Sequence, residues 1–186
     1  MIYQVWLMTP EYHSCFSPAE NAEFDVGKLV SLEAIASSGL SVAFTSLTTD
    51  VCVVGGATLI TNSSGRCEIQ VTQPGNEIYS AAPVVLRTVF VKKDQSISFP
   101  TPPAAASAEI GDLVPLSATA NSGLEVIYSS LTPNACQIEG DGARITGGGV
   151  CRIEASQVGD DHWYAADPVT VSFSVGFEIY LPSVIR

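Results

Sequence analysis

The sequence predicts an all-β protein made of two tandem antiparallel Greek-key β-sandwiches. The first observation is a repeat, because Cys136 and Cys151 follow Cys52 and Cys67 by 84 residues. The second is alternation of apolar and polar residues in short segments, which turn signals separate every few residues. The third is a composition rich in Ser, Thr, Gly, Ala and Val, with no stretch of convincing helical period.

The repeat divides the 186 residues into two domains. We predict domain 1 at residues 12–93 and domain 2 at residues 94–176, joined by a short charged linker around Lys93. Residues 1–11 are a lead-in strand or a frayed terminus, and residues 177–186 are a tail, because neither segment has a counterpart in the other copy. Domains of about 85 residues are small but able to fold, particularly with a covalent staple.

Each domain opens with a short strand that ends in proline-rich chain, at Pro18 and at Pro100. This ending is typical of an edge strand that leaves its sheet. The second strand shows period-two alternation, which places every other residue on the core face. The core-facing residues are Val30, Leu32, Ala34 and Ala36 in domain 1 and Val114, Leu116, Ala118 and Ala120 in domain 2.

A turn at Gly39 and its counterpart at Gly123 then lead into the third strand of each domain. About seven short strands result per domain, the pattern of a Greek-key sandwich. From the third strand onward, the predicted strands of domain 1 are 42–46, the segment that carries Cys52, 58–61, the segment that carries Cys67, and the closing strand 84–91. Those of domain 2 are 126–130, the segment that carries Cys136, 143–146, the segment that carries Cys151, and the closing strand 169–175.

The four repeated cysteines are predicted to form one disulfide in each domain, Cys52–Cys67 and Cys136–Cys151, with Cys15 free. The spacing is not that of a zinc site, and no nearby histidine completes four ligands. A disulfide needs Cα atoms within about 7 Å of each other. The two cysteine strands must therefore be neighbours in one sheet or face each other across the sandwich. Paired cysteines favour an oxidising compartment.

The charge balance excludes several partners. The formal net charge is −11, which repels nucleic-acid phosphates and anionic membranes. The apolar stretches are strand-sized, so we expect no membrane insertion, and the first eight residues are too short and lack the basic start of a signal peptide. We expect an unknown protein or glycan at the cell surface, or neighbouring repeats of a parent chain, as partners, and no cofactor.

No catalytic residues are predicted. The two histidines, His13 and His162, lie in unrelated contexts, and no nucleophile elbow or phosphate-binding glycine loop is present. The most site-like cluster is Asp160, Asp161 and Trp163, where adjacent acids and an aromatic ring could hold calcium or a sugar. A solvated loop is the alternative interpretation of these residues. We predict no metal site and only a weak effect of calcium.

One further pattern extends through both copies. The run from Leu116 to Ser130, the segment 149–157 around Cys151, and the Tyr-Ala-Ala sequence at 164–166 resemble the bacterial immunoglobulin-like repeats that occur in tandem in secreted and surface proteins. The resemblance covers residues 12–176, nearly the whole repeat region. It implies an immunoglobulin-like fold, an extracellular or cell-surface location, and a non-enzymatic spacer or adhesion role. The alternative function is a carbohydrate-binding accessory module that uses Trp163.

Overall fold

The computed structural model describes residues 16–176. Within them the chain forms two compact units, the first made of residues 16–93 and 160–164 and the second of residues 94–159 and 165–176. The predictions for residues 1–11, for Cys15 and for the tail fall outside the described part of the chain. No helix among residues 16–176 is long and apolar enough to cross a membrane.

The first unit is a two-layer β-sandwich. One layer contains β1–β4 and β3–β7–β6, which join because only Leu32 separates β3 from β4 and its N–H donates to the Ala57 carbonyl at 2.8 Å. The other layer has the order β2–β9–β8–β5. Its strands are β1 (Phe16–Ser17), β2 (Ala22–Asp25), β3 (Leu29–Ser31), β4 (Glu33–Ala34), β5 (Ala43–Ser46), β6 (Cys52–Gly55), β7 (Thr58–Thr61), β8 (Gly65–Thr72) and β9 (Val85–Lys92).

The core of the first unit follows from the alternation in its strands. In β8 every second residue is buried, so that Cys67, Ile69 and Val71 face inward. Val89 and Val91 of β9 complete this side. Leu32, Ala36, Cys52 and Leu59 face them from the other layer. The alternation read from the sequence is therefore the alternation of the core.

Strand β2 covers an edge of the first unit. The chain leaves β1 at Pro18, crosses to the second layer and pairs β2 with β9 in parallel. Just before β2, the Glu20 carboxylate accepts the Thr88 N–H at 3.3 Å, and the Asn21 N–H donates to the Thr88 carbonyl at 2.9 Å. These bonds satisfy the backbone of β9 on the side away from β8, which would otherwise be an open edge.

The second unit repeats this architecture. Its layers are β10–β12 with β11–β15–β14 on one side, and β13–β16–β17 on the other, around a separate core. All its strand pairs are antiparallel within the described residues. Its strands are β10 (Ile97–Ser98), β11 (Leu113–Pro115), β12 (Thr119–Ala120), β13 (Ile127–Ser130), β14 (Cys136–Glu139), β15 (Gly142–Ile145), β16 (Gly149–Gln157) and β17 (Ala166–Val175).

The two units differ at the edge that β2 covers. The second unit has a 3-10 helix, Pro103–Ser107, at the place of β2, and this helix lies beside β17. Proline favours the first turn of a helix and removes backbone donors from a sheet, so Pro102 and Pro103 direct this segment away from strand pairing. The prediction of two tandem immunoglobulin-like β-sandwiches is confirmed, with this local difference between the copies.

Candidate functional site

Each unit contains one disulfide that joins its two layers. Cys52 on β6 is bonded to Cys67 on β8 with a Cα–Cα distance of 5.8 Å, and Cys136 on β14 is bonded to Cys151 on β16 with a distance of 5.6 Å. Of the two arrangements left open by the sequence, the structure has the one across the sandwich. All four cysteines are fully buried.

The acidic loop singled out in the sequence is a side-chain-stabilised turn. Asp160 Oδ1 accepts the backbone N–H groups of His162 at 2.8 Å and Trp163 at 2.9 Å. The Asp160 N–H in turn donates to the Trp163 carbonyl at 3.0 Å. Aspartate and asparagine commonly close turns in this way. One carboxylate oxygen of the predicted site is therefore already occupied by the backbone.

The first repeat builds the same turn with an uncharged residue. Asn76 Oδ1 accepts the N–H groups of Ile78 at 2.9 Å and Tyr79 at 2.8 Å. The hydrogen bonds place Tyr79 at the position of Trp163, so Tyr164 stands where the first repeat has Ser80. Because asparagine serves as well as aspartate, the turn itself does not require a carboxylate at residue 160.

The other members of the predicted cluster do not converge on a cation. Asp161 is exposed, while Trp163 is half-buried and forms an isolated parallel bridge with Lys93. The Lys93 Nζ lies 5.7 Å from the centre of the Trp163 ring, a cation–π distance. Within residues 16–176, no group of three or more His, Cys, Asp or Glu side chains is placed to hold a metal ion.

Both units have an open groove at the same position of the repeat. It lies beside β4 and β5 in the first unit and beside β12 and β13 in the second. In the second unit the groove has a volume of about 450 Å³. In the first unit it has a volume of about 610 Å³. The second groove is lined by Leu116–Ala120, Gly123–Val126, Tyr128 and Asp141, and the first by Ser17, Leu32–Ile35, Phe44 and Ala57.

A tyrosine hydroxyl fixes the wall of the second groove. The Ala118 N–H donates to Tyr128 Oη at 2.7 Å. In the first unit the equivalent Ala34 lies in the β1–β4 ladder opposite Phe16, whereas β10 ends at Ser98, before Pro100. Tyr128 therefore supplies an acceptor where the second unit has no strand partner. The first unit has Phe44 at this position.

The sequence prediction missed this groove, although it contained a signal for it. At three lining positions the second copy has a side-chain oxygen that the first copy lacks. Thr119 stands where the first unit has Ile35, Tyr128 where it has Phe44, and Asp141 where it has Ala57. Comparing the copies position by position at partly exposed residues, rather than at the core, would have drawn attention to them.

One exposed ion pair flanks the turn that follows β14. Glu139 accepts two hydrogen bonds from Arg144, at 2.7 Å to Nε and at 3.0 Å to Nη2. The Arg144 hydrogen bond, and then its positive charge, lower the pKa of Glu139 below its ordinary value of 4.5. Arg144 Nη1 also donates to the Gly111 carbonyl at 2.9 Å. The pair holds the turn that carries Asp141.

No protein family matches the sequence, and no curated protein matches it significantly. Several solved structures are similar to this chain, among them the following three. The fibronectin(III)-like modules of Clostridium thermocellum CbhA are 18% identical with a TM-score of 0.39, over 86% of this chain and 91% of that chain. The insect immune protein hemolin is 12% identical with a TM-score of 0.35, and the match covers 90% of this chain and 48% of hemolin. Domains 4 and 5 of the S-layer protein SbsC are 13% identical with a TM-score of 0.33, and the match covers 92% of this chain and 96% of that chain.

Proposed function

We propose that the chain is a non-enzymatic extracellular structural module, a tandem immunoglobulin-like spacer of a secreted or cell-surface bacterial protein. The observation that carries this proposal is the pair of buried disulfides, one in each unit, that join the two layers at the same repeat position. Such bonds form and persist in oxidising surroundings, outside the cytoplasm.

The construction of each unit supports a mechanical role. Each has its own core, which includes the fully buried Ile69 in the first unit and the fully buried Ile153 in the second. Each staple joins strands from opposite layers, so a force that pulls the layers apart acts on a covalent bond. Folded modules repeated in series, each with a staple between layers, suit a protein that keeps another part of a chain at a distance.

Force spectroscopy of the full chain tests the spacer role. We expect two separate unfolding events under oxidising conditions. In each unit the disulfide encloses a loop with a sequence separation of 15 residues, which cannot extend while the bond is intact. At roughly 3.4 Å per residue, this loop conceals about 50 Å of extension. Reduction should therefore lengthen each unfolding step by about that amount.

A matched variant assigns the events to units. Replacing Cys136 and Cys151 by alanine should lengthen one step by about 50 Å and leave the other unchanged. Replacing Cys52 and Cys67 should lengthen the other step. A chain that extends smoothly, without resolved unfolding events, would contradict the spacer proposal, because a spacer must remain folded under load.

The second candidate function is a carbohydrate-binding accessory module. The groove of the second unit favours it, because Tyr128, Thr119 and Asp141 place side-chain oxygens where the groove of the first unit has apolar side chains. A glycan array probed with the intact chain distinguishes the two functions. A spacer without a ligand gives no signal, whereas a carbohydrate-binding module gives a defined set of glycans.

A further inference from the structure

The groove of the second unit has the size and lining of a small-molecule site. Its volume of about 450 Å³ falls within the range of ligand pockets, roughly 300–1,000 Å³. Leu116 is buried at its base, and Leu124 and Val126 contribute further apolar surface. Apolar surface with a few fixed polar groups is the usual composition of a ligand site.

The polar groups of the groove are hydrogen-bonding oxygens. The Tyr128 hydroxyl is held in place by the Ala118 N–H, and no acceptor for its own proton occurs among the described residues. Glu125 and Asp141 present exposed carboxylates, and Thr119 an exposed side chain with a hydroxyl. The groove thus offers acceptors and a donor to a ligand that carries several hydroxyl groups.

The charge of the lining excludes anionic ligands. No lysine, arginine or histidine is among the residues that line the groove in the described chain. A phosphate or carboxylate ligand would meet two carboxylates without a compensating cation. An uncharged ring with hydroxyl groups on its rim and C–H groups on its faces matches both the oxygens and the apolar base.

We propose that this groove binds an uncharged sugar residue. The inference rests on the second candidate function, and it places the binding site at Tyr128 and Asp141 rather than at the loop of Asp160 and Trp163. The groove of the first unit serves as an internal comparison. It has the same position in the fold, but Ile35, Phe44 and Ala57 provide no oxygen at the three corresponding places.

Titration of the isotope-labelled full chain with simple methyl glycosides tests the proposal by NMR. The probes are the methyl glycosides of glucose, galactose, mannose and N-acetylglucosamine. We expect saturable shifts in residues 116–128 and 141 with at least one probe, at millimolar affinity. The corresponding residues of the first unit, 32–44 and 57, should not shift.

Three variants install residues that the first unit has in the same fold: Thr119→Ile, Tyr128→Phe and Asp141→Ala. Each should weaken binding about tenfold, the usual effect of removing one hydrogen bond to a ligand. Trp163→Ala is the matched control and should bind with unchanged affinity. Since Thr119→Ile and Asp141→Ala replace exposed side chains, their amide spectra should confirm an intact fold.

Several outcomes would overturn the proposal. The absence of saturable shifts in residues 116–128 with all four glycosides would do so. Shifts confined to the loop around Trp163 would place the binding site at that loop instead. None of these results affects the spacer role, which the force measurement tests separately.

Discussion

Tyr128 Oη lies 2.7 Å from the backbone nitrogen of Ala118 and takes the place of a missing strand partner. Tyr128→Phe should therefore destabilise the second unit by about 1–2 kcal/mol, because a partly buried N–H loses its acceptor. Chemical denaturation of the oxidised chain measures the change. Phe44→Tyr is the control, and it should change stability little, since Ala34 of the first unit already faces Phe16 across a ladder. Equal stability of Tyr128→Phe and the wild type would contradict this role.

The disulfides should make a large contribution to stability. Replacing Cys52 and Cys67 by alanine is expected to cost about 3 kcal/mol, the chain-entropy value for a loop of this size. Thermal unfolding should show a lower transition for the first unit alone. Peptide mapping without reduction should give Cys52–Cys67 and Cys136–Cys151 as the linked pairs. A peptide that links Cys15 to any of these four residues would contradict the pairing.

The sequence was sufficient to predict what the two copies share. The 84-residue offset identified the cysteine pairs, and alternation identified inward residues such as Leu32 and Ile69. Both signals depend on burial, which acts through the local period of a strand. The arrangement of the cysteine strands across the sandwich depends on how two layers stack, and no local pattern encodes that.

The differences between the copies were harder to predict. The replacement of β2 by a 3-10 helix depends on prolines and alanines whose effect appears only beside β17. The hydrogen bond from Ala118 to Tyr128 joins segments brought together by a turn. The adjacent acids Asp160 and Asp161 indicated a possible site for calcium or a sugar. In the structure, however, Asp160 closes a turn that Asn76 closes equally well in the first repeat.

Arg87 is an inward-facing cation that the second unit lacks. Its side chain is only 14% exposed, it pairs with Glu20 at 3.2 Å, and its Cζ lies 4.7 Å from the centre of the Phe16 ring. Its buried Nε has no hydrogen-bond partner. Arg87→Val, which copies Val171 of the second unit, should leave stability unchanged or raise it, because an apolar side chain at this largely buried position removes the desolvation cost of the guanidinium.

Removing the partner of Arg87 should have the opposite effect. Glu20→Ala leaves the guanidinium without its carboxylate and the Thr88 N–H without its acceptor, so we expect a loss of about 1–2 kcal/mol. Urea unfolding of both variants gives the comparison. A larger loss for Arg87→Val than for Glu20→Ala would show that the arginine stabilises this edge on balance.

The Glu139–Arg144 pair should give a small pH-dependent contribution. The pKa of Glu139 in the folded state is lowered first by the Arg144 hydrogen bond and then by the positive charge of Arg144. The carboxylate form of Glu139 is therefore favoured in the native state. The contribution is present above the ordinary pKa of 4.5 and is lost as pH falls through the lower folded pKa. Glu139→Gln should therefore lower the melting temperature slightly at pH 7, and the difference from wild type should vanish in acid. A difference that persists in acid would point to packing instead.

Calcium should stabilise the chain only weakly, because Asp160 serves the backbone. The net charge of −11 attracts cations without selectivity, and salt screens that attraction. Asp160→Asn keeps the acceptor for the N–H groups of His162 and Trp163 and removes the charge, as Asn76 does in the first copy. It should cost only a few tenths of a kcal/mol, whereas Asp160→Ala should cost about 1 kcal/mol by opening the turn.

Melting curves in calcium, in magnesium and in added sodium chloride measure how far each cation stabilises the chain. We expect equal small rises with both divalent ions, removed by salt, and the same behaviour in Asp160→Asn. A calcium-selective rise of many degrees that is lost in Asp160→Asn would show that the second carboxylate oxygen of Asp160 binds a cation. Because that variant preserves the turn, its loss of response could not be attributed to unfolding of the loop.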